Sequence, residues 1–218
     1  MELRIFGTIT SPFVRRVRIV ALELGVPHVL VDTNDDDGQR ALRERTPLWK
    51  VPIVEVVGNG PGPLRDGALV FDSRTITEAL VRHLGPGPLR ADHVDDLELA
   101  NVVSVVDGAL DSLINTLYLS RDGVTAQQAA YVRKQHDRAA AAMAWLEDRI
   151  DDRADGLALR RASADCAGAP GLPEIALATA LGWMQFRKTY PIERHPRLWR
   201  CFESLDARDS FTRTRPTG

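Results

Sequence analysis

Cysteine is scarce in this chain: 218 residues contain two, Cys166 and Cys201. They form no Cys-x-x-Cys and no zinc-ligand spacing, so neither a dithiol redox centre nor a zinc site is expected. Nothing points to an oxidising compartment, and no disulfide between them is expected. The histidines His28, His83, His93, His136 and His195 are scattered, with no His-Glu-x-x-His pattern, and no metal is expected. Long apolar runs are missing too. None approaches the roughly 18 residues of a membrane span. No basic stretch precedes an apolar one at the start, so no secretory signal is expected and the location read from sequence is cytoplasmic. Charge of one sign is also lacking. The formal net charge of −2 gives no electrostatic case for nucleic acid or an anionic membrane as partner. The one Gly-x-Gly-x-Gly run, Gly58 to Gly62, is interrupted by Pro61 and leads into a strand rather than a helix, which excludes a dinucleotide fingerprint.

What is present is apolar material for a sizeable core, 44% of the residues. The first 85 residues alternate strand and helix signals. Leu3–Phe6 reads as a strand. Ser11 to Gly25 reads as a helix, with Val14, Val17, Ala21 and Leu24 on one stripe, stopped by Gly25 and Pro27. Arg15 and Arg16 fall on its expected solvated face, with an anion-binding role as the alternative. His28–Val31 is a second strand, and strand, helix, strand at this spacing is a βαβ unit with parallel strands. The acidic run Asn34–Asp37 reads as a solvated loop, followed by a short helix over Gln39–Arg45. Ile53–Val57 and Ala68–Phe71 are the third and fourth strands. Asp72-Ser73 caps a helix carrying Ile76, Ala79, Leu80, His83 and Leu84. Gly85-Pro86-Gly87-Pro88 breaks the chain, placing a linker at 85–90.

Everything beyond reads as helix. The first runs from His93 to Arg121, with Leu97, Ala100, Val103, Leu110, Leu113 and Leu117 as its apolar positions. The second is capped by Thr125 and runs to about Ile150. A third spans Glu174–Arg187 with Pro173 in its first turn, and a fourth opens at Pro196 and runs to about Arg208. The expected architecture is α/β followed by all-α, with domains at 1–84 and 91–218.

The joint between the first strand and first helix reads Thr10-Ser11-Pro12-Phe13. Serine is a favoured N-cap and proline suits the next position, so on local rules alone Ser11 is a cap and nothing more. Two observations point further. Open α/β sheets place ligands at such strand-to-helix joints, and Val51-Pro52 stands before the third strand as a candidate cis bond.

The pattern resembles the glutathione S-transferases. Their thioredoxin-like N-terminal domain is βαβ then ββα. "PLWKVPIVEV" stands where the family has Pro-x-x-Lys-Val-Pro, and "FDS" where it has an acidic residue and serine. "IALATALGWMQFR" resembles the buried sixth helix of bacterial members, and "HPRLWRCFESLDARDSFTRTRP" their terminal helix and tail. The resemblance implies a serine-type cytosolic member, with Ser11 donating a hydrogen bond to the glutathione sulfur. It implies that Val51, set by a cis Pro52, pairs with the cysteinyl backbone, that Lys50 reaches the glycyl carboxylate, and that Asp72 and Ser73 hold the γ-glutamyl amine and carboxylate. Thr10 is a competing hydroxyl. Trp49 replaces a small residue, and Gly171-Leu172-Pro173-Glu174 replaces a Ser/Thr-x-x-Asp capping box. The implied activity is conjugation of glutathione, as co-substrate, to a small hydrophobic electrophile, by a homodimer. Tyr118 is a candidate lining residue for the electrophile. Glutathione-dependent peroxidase or disulfide reductase chemistry, and a non-catalytic binding or regulatory role, are the alternatives.

Overall fold

The computed structural model describes residues 1–90, 97–150 and 169–217. Four strands come first: β1 (Glu2–Gly7), β2 (His28–Asp32), β3 (Ile53–Val57) and β4 (Leu69–Phe71). Among them lie α1 (Pro12–Glu23), α2 (Asp36–Arg45) and α3 (Ser73–Leu84). The described elements beyond are helical: α4 (Leu97–Arg121), α5 (Ala130–Glu147), α6 (Leu172–Arg187), a short 3-10 turn at Ile192–Arg194, α7 (Pro196–Asp206) and α8 (Asp209–Thr212). The sheet order is β2-β1-β3-β4. β1 and β2 are parallel, as the βαβ reading requires, while β3 runs antiparallel to β1 and β4. This is a thioredoxin-like sheet followed by a helical half.

Alternation along β1 explains the layering. Leu3 and Ile5 point into a large core shared with α1, α3, α4 and α6, while Phe6 joins Ile53 and Leu42 of α2 on the opposite face. One apolar cluster thus runs from the sheet through to α7.

α1 is the centre of this arrangement. It packs on α3, α6 and α8, so it has no fully solvated face. The placement of Arg15 and Arg16 in solvent is therefore wrong: they are 3% and 2% exposed. Arg15 turns to the C-terminal segment. Its Nη2 donates to Asp206 Oδ1 at 2.9 Å and to the Phe211 carbonyl at 3.0 Å, and its Nε to Thr214 Oγ1 at 3.4 Å. Burial pulls its pKa below the usual arginine value, and the hydrogen bond and charge of Asp206 oppose that pull. α6 comes equally close. A Cβ on Gly182 would stand 2.7 Å from Arg15 Nη1 and 3.1 Å from Phe202, so a side chain there would have to displace the guanidinium.

Several boundaries differ from the sequence reading. The acidic run is a helix start: Asp35 accepts the Gly38 N–H at 2.7 Å, and Asp36 and Asp37 fill the positive first turn of α2. Thr125 does not cap α5. Its N–H and hydroxyl both bond Gln128 Oε1, which closes a separate turn, and the helix begins only at Ala130. α7 stops at Asp206, and two residues separate it from α8. The start expected for α4 at His93 lies outside the described residues. Its core face is Leu99, Val102, Val106, Ala109, Leu110 and Leu113. Leu97, expected in the core, is 82% exposed. The linker expected at 85–90 is described in full, and Leu89 and Arg90 within it are buried.

α6 is buried throughout its first thirteen residues, as the resemblance implied. Gly171 precedes it without a capping side chain, but Glu174 Oε2 accepts the Gly171 N–H at 2.9 Å. Half of a capping box survives this way.

Cys201 is a free, buried thiol, and Cys166 lies outside the described residues. Burial, with the Glu174 charge adding to it, pushes the Cys201 pKa up to about 12. The thiolate is the reactive form. Alkylation of the native protein, read by peptide mass analysis, is therefore expected to leave Cys201 unmodified until the chain unfolds.

Candidate glutathione site

The sheet register brings three chain joints to one place. Phe6 of β1 pairs with Ile53 of β3, and Ile53 pairs with Phe71 of β4. The end of β1, the start of β3 and the end of β4 are thus in line. Segments 8–11, 50–52 and 72–73, which carry every expected site residue, leave the sheet from that line.

At the first joint Ser11 is the N-cap of α1, with Pro12 following it. Its Oγ accepts the Val14 N–H at 3.3 Å, and its own N–H donates to the Thr8 carbonyl at 3.2 Å. A hydroxyl that accepts in this way keeps its proton for another partner. Gly7 makes the joint tight: a Cβ there would stand 2.3 Å from Val14 Cγ2. Any larger residue would lift the first turn of α1 away from β1.

At the second joint the Val51–Pro52 peptide is cis. Val51 is half-buried and Pro52 buried. Lys50 is exposed, and Trp49 has φ 52° and is 63% exposed. Trp49 lies over no core; its ring carries the Arg43 guanidinium at 5.3 Å. At the third joint the two residues expected to cap the helix divide the work. Asp72 is the N-cap of α3, accepting the Thr75 N–H at 2.9 Å. Ser73 is the first helical residue, buried, with Oγ accepting from Arg16 Nη1 at 3.2 Å.

The facing wall is α4. Its Asp107 Oδ1 takes a hydrogen bond from Arg16 Nη2 at 2.7 Å. Asp111 follows one turn on, with Ile114 and Tyr118 at the same helical spacing. Burial raises the Asp111 pKa above the usual carboxylate value; the Lys50 charge opposes the rise and Asp107 adds to it. Lys50 and Asp111 therefore lie close enough for their charges to interact. Tyr118 is exposed.

Residues 10–83 match the family model described as "Glutathione S-transferase, N-terminal domain". Over those residues the chain is similar to the glutathione S-transferase N-terminal domain. Among curated proteins it is similar to the uncharacterized GST-like protein YibF of Escherichia coli, 25% identical over 218 residues and covering 98% of both chains. Two solved structures illustrate the fold match. A glutathione S-transferase from Methylobacillus flagellatus with glutathione bound has TM-score 0.78 and 22% identity, over 99% of this chain and 100% of that one. One from Methylobacterium radiotolerans, in complex with glutathione sulfonate, has TM-score 0.77 and 25% identity, over 100% and 96%. No described helix is long and apolar enough to cross a membrane. Among the described residues no group of His, Cys, Asp or Glu could hold a metal ion.

Sequence reasoning missed Asp107 and Asp111, and it placed Arg16 in solvent, with anion binding only as the alternative. The stripe of α1 sets Arg16 off the sheet-facing positions, and only the docking of α3 and α4 turns that position inward. For α4 the signal was available. Starting the stripe at Leu99 instead of Leu97 places Asp107 and Asp111 beside the core face, toward the site.

Proposed function

We propose that the protein is a glutathione transferase that holds glutathione at the sheet end and attacks a small electrophile lying against α4. The observation that carries this is Ser11, whose hydroxyl caps α1 by accepting and so keeps a proton to donate. Most free thiol is protonated at neutral pH, with pKa about 8.5, and the thiolate is the nucleophile. Lowering that pKa by about two units takes roughly 2.7 kcal/mol of preference for the anion. The α1 N-terminus contributes about 0.3–1 kcal/mol, up to ~2 where partly buried. A hydrogen bond to a charged acceptor contributes about 1.5–3 kcal/mol. Together they suffice. In this reading Val51 and Pro52 align the cysteinyl backbone, Lys50 takes the glycyl carboxylate, and Asp72 and Ser73 take the γ-glutamyl end. Residues 1–84 then form the glutathione-binding domain and 91–218 the domain that supplies the electrophile wall and the homodimer contacts, in a cytoplasmic enzyme. Ile114 and Tyr118 give that wall its apolar end, and Asp111 a polar one near Lys50.

Calorimetry with glutathione tests the binding, and a screen of aryl halides, epoxides, hydroperoxides and mixed disulfides tests the reaction. Turnover confined to hydroperoxides or disulfides would replace conjugation by reductive chemistry. Binding without turnover would make the protein a non-catalytic relative. A melting experiment adds a stability readout. At a glutathione concentration of about 100 times Kd, linkage gives roughly 2.7 kcal/mol. For a chain of this length that is a rise of roughly 5–10 °C in Tm. A melting curve unmoved by saturating glutathione sinks the proposal.

A further inference from the structure

Arg16 stands behind the site, between Ser73 and α4. Its side chain is 2% exposed. Nη1 donates to Ser73 Oγ at 3.2 Å and Nη2 to Asp107 Oδ1 at 2.7 Å. The guanidinium also lies 5.4 Å from the centre of the Phe13 ring. Nε has no partner among the described residues, and Arg16 borders a cavity of about 40 Å³ shared with Thr77, Leu99 and Leu172. That is room for a water molecule.

The chemistry of this contact is directional. A guanidinium carries five donors and no acceptor. Ser73 must therefore receive from Arg16, and its own hydroxyl proton has to point elsewhere. Among the described residues no acceptor meets that proton. None meets the N–H groups of Ser73 or Arg74, which open α3 ahead of the Thr75 N–H that Asp72 takes. Three donors thus stand together at a helix start, with a buried cation directly behind them. That is a site for a carboxylate. Asp107 holds the cation in place and offsets its charge while the site is empty.

We propose that Arg16 is a positioning residue for carboxylate recognition: it turns the Ser73 hydroxyl proton toward the ligand and makes the start of α3 select an anion. The identity of that anion, the α-carboxylate of the γ-glutamyl arm, rests on the glutathione reading above. Arg16 touches no substrate; it acts through Ser73.

The test is calorimetry with two ligands, glutathione and 4-aminobutanoyl-cysteinylglycine, which lacks only that carboxylate. Wild type is expected to prefer glutathione by about tenfold to a hundredfold. In Arg16→Gln the preference should shrink about tenfold while affinity for the analogue stays close to wild type. KM for glutathione should rise, and kcat at saturating glutathione should hold. A merely structural role would weaken both ligands by the same factor and leave the preference intact; that result overturns the proposal. Should Arg16→Gln fail to fold, Arg16→Lys and Asp107→Asn read the same contact from its two ends. Each is expected to reduce the preference about threefold or more. An unchanged preference in both overturns the assignment of Arg16 alone. A wild-type protein that binds neither ligand overturns the glutathione reading, and this proposal with it.

Discussion

Ser11→Ala should lower glutathione conjugation at neutral pH about tenfold to a hundredfold. On the proposed reading the substitution removes a hydrogen bond to the thiolate of about 1.5–3 kcal/mol, which raises the bound thiol's pKa by roughly one to two units. Part of the lost rate should return as pH is raised, because the thiolate fraction recovers above the new pKa. The cap also goes: Val14 N–H loses its acceptor, at a cost of about 0.5–2 kcal/mol of stability. Capping and catalysis separate in the assay. If Ser11 only caps, the variant melts lower but keeps its activity at low temperature. The decisive measurement is thiolate absorbance against pH in the glutathione complex. A variant curve that overlays wild type, while Thr10→Val shifts its own, assigns the donor to Thr10. If neither moves, the helix end and backbone stabilise the anion unaided, and the role given to Ser11 is wrong.

Glu174→Ala should be the most destabilising single change at the junction of the two halves. Glu174 is fully buried, and its carboxylate does two jobs. One oxygen accepts the Gly171 N–H at 2.9 Å and the other pairs with buried Arg90. Arg90 in turn sits at the end of the 85–90 segment, with its N–H on the Pro170 carbonyl at 3.2 Å. The pair therefore pins the chain leaving α3 to the start of α6. Removing one partner of a buried ion pair strands the other charge, which costs about 3–5 kcal/mol. For a chain this long, Tm should fall roughly 6–20 °C. Glu174→Gln keeps an acceptor for Gly171 and should lose less. Urea denaturation of both variants checks this; an alanine variant within about 0.5 kcal/mol of wild type, the range of ordinary surface changes, would refute it.

The parts of the molecule written in local chemistry were legible. Gly25 and Pro27 stop α1, Pro12 and Pro196 open helices, and Asp72 caps α3, each for a reason confined to a few residues. The same holds for the βαβ unit and for the serine at the first joint. What failed depended on partners distant in sequence. Arg15 and Arg16 look solvated because arginine in a charged stretch usually is, and partners supplied by far segments, Asp206 and Asp107 foremost, make their burial tolerable. Thr125 was an eligible cap, but Gln128 three residues on competes for it and wins. The α4 stripe slipped because Leu97, an apolar residue, stands in solvent where a pattern search counts it as core.

The tether between Arg15 and Thr214 spans 199 residues of sequence. Contacts of such separation form last, since loop closure must precede any reward from them. During synthesis the N-terminal segment leaves the ribosome long before residues 206–214 exist. Until those arrive, Arg15 has no acceptor from Asp206, Phe211 or Thr214, and one flank of α1 stays uncovered. The helix that carries Ser11 is thus among the first to be made and among the last to be completed. Its packing is finished only when nearly the whole chain is present, so a nascent or truncated chain would carry the Ser11 sequence without a settled α1 to hold it.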